Sequence, residues 1–212
     1  MKPDDREEPM ELTAVTPATT TWLPERDESL IAAARDGDYS AFERLYELHR
    51  STVYRFAYQM TQSQDEAEDV TQEAFVRAFQ NLHRFRKEAR FTTWILRITT
   101  NLCTDKARMR VRRKALEEQE ADGALEWMTV GATINPVDEL ETDRRAAIVR
   151  KAVQGLPAHH RSILIMRDFE EREYSEIASI LNCTIGGAKL RVLRARRALR
   201  DRLEPLLNEA NE

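Results

Sequence analysis

The stretch LNCTIGGAKLRVLRARRALRDRL, residues 181–203, predicts one long helix with two unlike faces. Apolar residues spaced four, three, four and four positions apart fall on one stripe of such a helix, which would be buried. They are Ala188, Val192, Ala195, Leu199 and Leu203. Between residues 189 and 202, seven basic residues stand against one acid, Asp201, although the whole chain has a net charge of −4. A merely solvated face usually mixes the two signs, so this pattern favours a nucleic-acid partner.

The residues just before this helix predict a second, shorter helix and a tight turn. YSEIASILN, residues 174–182, carries apolar side chains at helical spacing. Asn182 tolerates a left-handed backbone, and Thr184 can cap the helix that follows. A helix, a turn of three or four residues and a second helix form the helix-turn-helix layout that reads duplex DNA in the major groove.

Composition favours an all-α protein, and 212 residues can hold one large domain or two small helical domains. Of 212 residues, 42% are hydrophobic, a third are charged and only six are glycine. Sheet-rich proteins usually need more glycine and more β-branched runs. No apolar run approaches the eighteen residues of a membrane span, and the N-terminus lacks a secretory signal, so a cytoplasmic protein is expected.

Changes in character along the chain divide it into five segments. Residues 1–26 are predicted to be a disordered tail, residues 27–113 a helical domain, and residues 208–212 a C-terminal tail. Residues 114–138 are predicted to be an acidic linker, since residues 114–143 contain nine acids and one base, Lys114. Extended fully, that stretch could reach ~100 Å. Residues 139–207 are predicted to be a second helical domain.

The two cysteines, Cys103 and Cys183, lie eighty residues apart in helical sequence. That spacing indicates reduced, buried thiols rather than a disulfide framework. A metal site formed by Cys183 with His159 and His160 is the alternative, but no pair among them has the spacing of zinc ligands. No metal and no cofactor are therefore expected.

The helix-turn-helix carries a family resemblance. REYSEIASILNCTIGGAKLRVLRARRALRDRL, residues 172–203, resembles region 4.2 of the extracytoplasmic-function (ECF) sigma factors of bacterial RNA polymerase, and LPAHHRSILIMRDFE, residues 156–170, is similar to their region 4.1. The resemblance implies binding to the minus 35 promoter element. The residues implied are Tyr174, Thr184, Gly187, Lys189, Leu190, Arg191, Leu193, Arg194 and Arg197.

The start of the recognition helix departs from the family. Gly187, Ala188, Lys189, Leu190 and Arg191 stand where the family commonly has a Thr-Val-Lys-Ser-Arg-like sequence. Leu190 and Leu193 occupy positions that are usually polar. Two roles stay open for these leucines, namely contact with thymine methyl groups or a landing site for an inhibitory protein. The base sequence that the helix reads is not determined by this motif.

DEAEDVTQEAFVRAFQNLHRF, residues 65–85, predicts one long helix with acids in its first turns. Carboxylates there favour the helix dipole by ~0.3–1 kcal/mol each, but the cluster is larger than that role needs. Asp69, Gln72 and Glu73 resemble the Asp-x-x-Gln-Glu portion of sigma region 2.2, which docks on the coiled coil of the polymerase clamp. The core-polymerase residues implied are Asp65, Glu68, Asp69, Gln72, Glu73 and Phe75. A solvated helix face is the alternative.

FRKEARFTTWILRITTNLCTDKARMRVRR, residues 85–113, combines aromatic residues with a strongly basic run. Rings stack on unpaired bases while cations track phosphates, so this mixture suits single-stranded DNA. The segment resembles sigma regions 2.3 and 2.4, which capture and melt the minus 10 element. The residues implied are Arg86, Lys87, Arg90, Phe91, Trp94, Arg97, Asn101, Lys106 and Arg108. The loop of residues 86–90 would hold an extruded base, whereas Phe91 and Trp94 could equally be core residues.

Together the two resemblances predict a non-enzymatic initiation subunit. Its implied partners are core RNA polymerase, duplex minus 35 and single-stranded minus 10 promoter DNA, and an anti-sigma factor that could hold it at the membrane without inserting it. One rival is a stand-alone helix-turn-helix regulator that dimerises on a palindrome. The other is a hydrolase that uses the carboxylates of residues 65–69, which lack a nucleophile or metal-ligand spacing. No phosphate-binding glycine loop is present, so nucleotide hydrolysis is not expected.

Overall fold

The computed structural model describes residues 24–85, 90–120 and 141–211. Local sequence signals set the boundaries of its first helices. Helix α1, Pro24–Arg35, begins with a proline, whose missing N–H is not needed in a first turn. Gly37 then adopts a positive φ of 97°, and the Asp38 carboxylate accepts from the backbone N–H of Ser40 at 2.9 Å. That cap starts helix α2, Tyr39–Thr61.

Helix α3, Gln64–Gln80, follows a left-handed residue, Gln62, and an N-cap, Ser63. The prediction of one helix over residues 65–85 is wrong at its C-terminal end. The Asn81 side chain donates to the carbonyl of Arg77 at 2.9 Å, which closes the helix, and a single 3₁₀ turn follows at Leu82–Arg84. Helix α4, Phe91–Glu120, then runs for 30 residues.

The second half consists of helices α5, Glu141–Gln154, α6, Ala158–Leu164, α7, Tyr174–Ile180, and α8, Ile185–Asn211. A π-helical turn, Ile165–Phe169, continues α6. Gly155 follows the end of α5 and Pro157 precedes α6. The described residues contain helices and turns, which confirms the all-α prediction.

Three predicted segment boundaries differ from the helices observed. Helix α1 begins at Pro24, inside the predicted tail, and α8 extends to Asn211 through the predicted C-terminal tail. Helix α4 extends to Glu120 because Ala115, Leu116 and the glutamates after them form helix readily. The rest of the predicted N-terminal tail and linker, residues 1–23 and 121–140, lies outside the described residues. The division into domains stays a prediction.

The core forms where the apolar stripes of these helices meet. Helices α1 to α4 bury large side chains that include Leu45, Phe56, Phe91, Ile95 and Leu96, and the second half buries Ile163, Leu164, Met166, Ile177 and Ile180. Burial of such a side chain stabilises the folded state by ~1.5–3 kcal/mol. Within the described part of the chain, none of the helices combines the length and the apolarity that crossing a bilayer requires.

Candidate nucleic-acid interface

Helices α7 and α8 meet at the turn that the sequence predicts. Asn182 has a φ of 49°, in the left-handed region. Thr184 caps α8, because its Oγ1 accepts the backbone N–H of Gly187 at 3.0 Å. Both predictions for this turn are confirmed. The left-handed Asn182 and the Thr184 cap together fix the direction in which α8 leaves α7.

The two faces of α8 are separated as the periodicity predicts. Ala188, Val192 and Ala195 are fully buried, and Leu199 and Leu203 are half-buried. The side chains of the opposite face are exposed, with Leu190 at 46% and Leu193 at 63%. This recognition face consists of Lys189, Leu190, Arg191, Leu193, Arg194 and Arg197. Arg196 is held elsewhere, since its Nε lies 3.2 Å from the Asp168 carboxylate.

Two residues predicted to contact the minus 35 element have structural contacts within the helix-turn-helix. The ring of Tyr174 is half-buried and faces Arg167 Cζ at 4.7 Å and Lys189 Nζ at 5.7 Å. A Cβ placed on Gly187 would lie 3.2 Å from the capping Oγ1 of Thr184. Tyr174 therefore helps to position Lys189, and the glycine leaves room for the cap.

The first turns of α3 present a surface of acids and one amide. Asp65, Glu68, Asp69 and Gln72 are exposed. Glu73 is half-buried between cations, with Arg77 Nη2 at 2.5 Å and Lys106 Nζ at 3.9 Å. These five residues form the acidic face. Since Lys106 belongs to α4, the predicted polymerase and minus 10 surfaces adjoin each other.

Phe75 does not belong to the acidic face, and its assignment as a polymerase contact is wrong. Its side chain is only 3% exposed, because its ring packs edge-on against two others. The distances between ring centroids are 4.8 Å to Tyr46 and 6.4 Å to Phe42. Exposed apolar side chains lie nearby instead, with Tyr39 at 75%, Val76 at 54% and Phe79 at 40% exposure.

The aromatic residues before the basic run form a cluster around the start of α4. Phe91 is 1% exposed, and the centroid of its ring lies 5.0 Å from that of His49 and 5.8 Å from that of Trp94. Phe91 is therefore a core residue, and its assignment as a minus 10 contact is wrong. Trp94 is half-buried and so remains partly accessible.

The polar residues predicted to contact minus 10 DNA differ in accessibility. Arg90, Asn101 and Arg108 are exposed, although Arg108 Nη1 lies 3.6 Å from the Asp105 carboxylate. Lys106 is half-buried in its pair with Glu73. Arg97 is half-buried and donates to the backbone carbonyl of Ser179 in α7. Arg86 and Lys87 lie outside the described residues.

Two hydrogen-bonded networks, which the sequence did not reveal, fix the chain on both sides of residues 86–89. His49 is fully buried, with Nε2 at 3.1 Å from the Asp27 carboxylate and Nδ1 at 3.3 Å from Thr92 Oγ1. Arg35 donates to the carbonyl oxygens of Leu82, at 3.0 Å, and Phe85. In the sequence, a histidine within the apolar pattern of α2 is the one sign of the network around His49.

The two cysteines are free, as predicted, but only one is buried. Burial raises the pKa of the Cys103 thiol to about 12, whereas Cys183 is half-buried at the helix-turn-helix. Among the residues that the structure describes, no group of three or more His, Cys, Asp or Glu side chains is placed to hold a metal ion.

We expect alkylating reagents to modify Cys183 and to leave Cys103 unmodified in the native protein at pH 8. The reactive species is the thiolate, and a thiol with a pKa of about 12 stays protonated far above pH 8. Peptide mass spectrometry after a short treatment with iodoacetamide measures both sites, and urea-unfolded protein is the control in which both should react. Equal modification of the two cysteines in native protein would contradict the buried placement of Cys103.

Comparison with known protein families identifies both halves of the chain. The family model for sigma-70 region 2 matches residues 45–113, and that for sigma-70 region 4 matches residues 146–199. The RNA polymerase sigma-H factor of Pseudomonas aeruginosa is 32% identical over 88% of this chain and 98% of its own length. The ECF RNA polymerase sigma factor SigW of Bacillus subtilis is 31% identical over 83% of this chain and 96% of its own length.

Solved structures show the same arrangement of helices. The sigma factor RpoE from Bartonella quintana, solved in complex with the anti-sigma factor NepR, matches with a TM-score of 0.54 and 25% identity. That match covers 77% of this chain and 96% of the other. CnrH, solved with the cytosolic domain of CnrY, matches with a TM-score of 0.56 at 22% identity, over 85% of this chain and 98% of the other, which supports the fold alone.

Proposed function

Because this chain belongs to the extracytoplasmic-function sigma factors of the sigma-70 family and serves transcription initiation as an alternative sigma factor, we propose a role for each of its three exposed surfaces. The acidic face of α3 docks on core RNA polymerase. The recognition face of α8 reads the minus 35 element, and the outer side of α4 captures minus 10 DNA as it opens. The observation that carries the proposal is that two family-matched segments, in the family's order, each present a charged surface of the required sign.

Docking of the acidic face rests on charge and accessibility. Asp65, Glu68, Asp69 and Gln72 are exposed on consecutive turns of one helix. Such a surface complements a basic partner helix and speeds the encounter with it. The exposed apolar side chains of Tyr39, Val76 and Phe79 nearby supply area that excludes water, which the strongest interface contacts need.

Recognition of the minus 35 element rests on the division of α8 into a buried stripe and an exposed basic face. The stripe of Ala188, Val192 and Ala195 anchors the helix to its domain. Arginine and lysine then reach phosphates or the O6 and N7 atoms of guanine. Leu190 and Leu193 contact thymine methyl groups, because exposed leucines flank the basic side chains on the same face.

Capture of the minus 10 element rests on the residues of α4 that remain accessible. Trp94 offers a partly accessible ring, Asn101 a polar group, and Arg90 and Arg108 positive charges. Stacking of an unpaired base on an aromatic ring is worth ~1–3 kcal/mol. The energy for melting comes from captured bases and polymerase contacts, so the protein acts as a DNA-binding initiation subunit without an enzymatic reaction of its own.

We also propose an anti-sigma partner and a cytoplasmic location, where a membrane-bound partner could retain the protein. The RpoE structure, at 25% identity, contains the anti-sigma factor NepR. The exposed Leu190 and Leu193 suit such a partner when DNA is absent. A stand-alone regulator explains α8 but gives no account of the acidic face or of the match to region 2.

Permanganate footprinting of a supercoiled promoter tests the proposed division of labour. Permanganate oxidises unpaired thymines, so we expect reactive thymines near the minus 10 element only when both this protein and core polymerase are present. Trp94→Ala should reduce that reactivity while leaving polymerase binding unchanged. Reactivity with the protein alone, or transcripts from a Trp94→Ala complex at the wild-type rate, would contradict the assignment to α4.

A further inference from the structure

His49 is a polar side chain among the core residues of α2. Its side chain is fully buried, and its ring centroid lies 5.0 Å from that of Phe91. A phenylalanine or a leucine would fill such a site without the cost of burying polar nitrogens. The histidine is compatible with the core only when its ring nitrogens are hydrogen-bonded, and those bonds add direction to the packing.

Both ring nitrogens of His49 have partners, and each partner belongs to a different helix. Nε2 lies 3.1 Å from the carboxylate of Asp27 in α1, and Nδ1 lies 3.3 Å from the hydroxyl oxygen of Thr92 in α4. Because an ionised carboxylate only accepts, Nε2 donates to Asp27, and a neutral imidazole then accepts the Thr92 hydroxyl through Nδ1. One side chain of α2 thus joins the first turn of α1 to the first turn of α4. Asp27 precedes residues 45–113, the segment that matches sigma-70 region 2.

Thr92 differs from three later threonines of α4 in the partner of its hydroxyl group. Those three donate to carbonyls four residues earlier in the same helix, at 2.7 to 2.8 Å; they are Thr99, Thr100 and Thr104. Thr92 is the second residue of α4, so no carbonyl of the helix lies four residues before it. Its hydroxyl is bonded to His49 instead, and the bond holds α4 against α2.

The first turn of α4 also carries Trp94, the ring proposed to stack on an unpaired base. The Trp94 N–H donates to the carbonyl of Arg90 at 3.1 Å, at the point where the helix begins. Helix ends open readily, because their backbone groups lack a full set of partners. The Trp94 ring rests against Phe91, with the centroids 5.8 Å apart, and Phe91 in turn rests against His49. Anchoring of this turn on His49 therefore determines how firmly the Trp94 ring is held.

We propose that His49, bonded to Asp27 and Thr92, is a positioning residue that holds the Trp94 ring in place for an unpaired base of the minus 10 element. Capture of a base by Trp94 rests on the proposed function, whereas restraint of the ring by His49 is a property of the free chain. A ring that is already ordered loses less freedom when the base binds. Loss of the bond between His49 and Thr92 should reduce promoter opening and leave the affinity for core polymerase unchanged, because the acidic face is not altered.

Substitutions at Thr92 separate this role from a general contribution to stability. Thr92→Val keeps the shape of the side chain and removes the hydroxyl, whereas Thr92→Ser keeps the hydroxyl. His49→Phe keeps an aromatic ring and removes both bonds. Thr99→Val is the matched control, because it removes a buried hydroxyl of the same helix that donates within α4, to the carbonyl of Ile95 at 2.8 Å. Thermal melting establishes that each variant folds and compares the losses of stability.

Time-resolved anisotropy of Trp94 fluorescence measures the restraint in the free, full-length protein. Trp22→Phe and Trp127→Phe leave Trp94 as the single tryptophan of the chain. We expect the amplitude of nanosecond ring motion to rise about twofold or more in Thr92→Val and His49→Phe, and to stay at the parent level in Thr92→Ser and Thr99→Val. Parent-level motion in Thr92→Val and His49→Phe would overturn the positioning role, and so would an equal rise in Thr99→Val.

Permanganate reactivity of a promoter bound by core polymerase and each variant then measures the use of this restraint. We expect reactivity of the minus 10 thymines to fall about three- to tenfold with Thr92→Val, which is part of the contribution of one stacked base. Thr92→Ser and Thr99→Val should retain wild-type reactivity, and all the variants should bind core polymerase with the wild-type Kd. Raised ring motion with wild-type reactivity would overturn the link to base capture. Failure of the wild type to open any promoter would instead refute the proposed function, and the anisotropy of the free chain would still judge the restraint by His49.

Discussion

Asp69→Arg is expected to weaken binding to core RNA polymerase by about 100-fold or more, while the protein stays folded. Asp69 is exposed in the middle of the acidic face, so the new guanidinium would meet the basic surface that the acids are proposed to contact. Like charges brought together at an interface cost several kcal/mol, and each 1.4 kcal/mol is a factor of ten in Kd. The cost to α3 is smaller, at ~0.3–1 kcal/mol for one charge near its N-terminus.

Fluorescence anisotropy of labelled protein titrated with sigma-free core enzyme measures this effect. Glu47→Arg is the control, since Glu47 is an exposed acid of the same domain outside the acidic face. We expect near wild-type affinity for the control and no saturable binding for Asp69→Arg at micromolar core enzyme. Wild-type affinity of Asp69→Arg would show that α3 docks through a different surface.

Arg194→Ala is expected to relax selectivity at one base pair of the minus 35 element. Arg194 is exposed on the recognition face, between the exposed Leu193 and the buried Ala195 that anchors the helix. A bidentate contact from arginine to guanine discriminates against the wrong base by ~1–3 kcal/mol, or about 5- to 150-fold. The loss should be confined to the base that this side chain contacts.

A set of promoters with every single substitution in the minus 35 element, transcribed by the holoenzyme, reports this loss of selectivity. Arg200→Ala is the control. Arg200 is exposed one to two turns further along α8 and is paired with Asp201 at 3.4 Å, so its removal should affect all promoters equally. An unchanged order of preference with Arg194→Ala would mean that this arginine contacts phosphate only.

The features predicted correctly from sequence depend on neighbours a few residues away. The turn at Asn182 and the cap at Thr184 follow from local backbone chemistry, and the buried stripe of α8 follows from helical period alone. The helical nature of the chain follows from the same period. For these features, the amino-acid sequence already determines the local conformation, and the structure supplies the distances between atoms.

The errors arise where an aromatic side chain could serve two purposes. Phe75 and Phe91 have the spacing of core residues and also the chemistry of contact residues, and the resemblance assigned both to interfaces. Their burial depends on partners distant in sequence, namely Tyr46 and Phe42 for Phe75 and His49 for Phe91. A period within one helix does not identify such partners.

The contacts between the two halves could not be predicted at all. Arg161 belongs to a segment whose sequence indicates only a helix, and its acceptor in the other half, Met60, is 101 residues away. The acceptors are backbone carbonyls, which carry no residue-specific signal. Only the folded chain shows that the end of α2 and the turn before α6 complete each other.

Run-off transcription with sequencing of RNA 5′ ends tests the central claim most directly. The purified protein is added to sigma-free core RNA polymerase on a library of genomic fragments. We predict discrete start sites that share two upstream motifs and that disappear when either protein is omitted or when Asp69→Arg replaces the wild type. Transcripts without shared motifs, or tight binding of the protein to duplex operators with no polymerase-dependent transcript, would contradict the account and favour a stand-alone regulator.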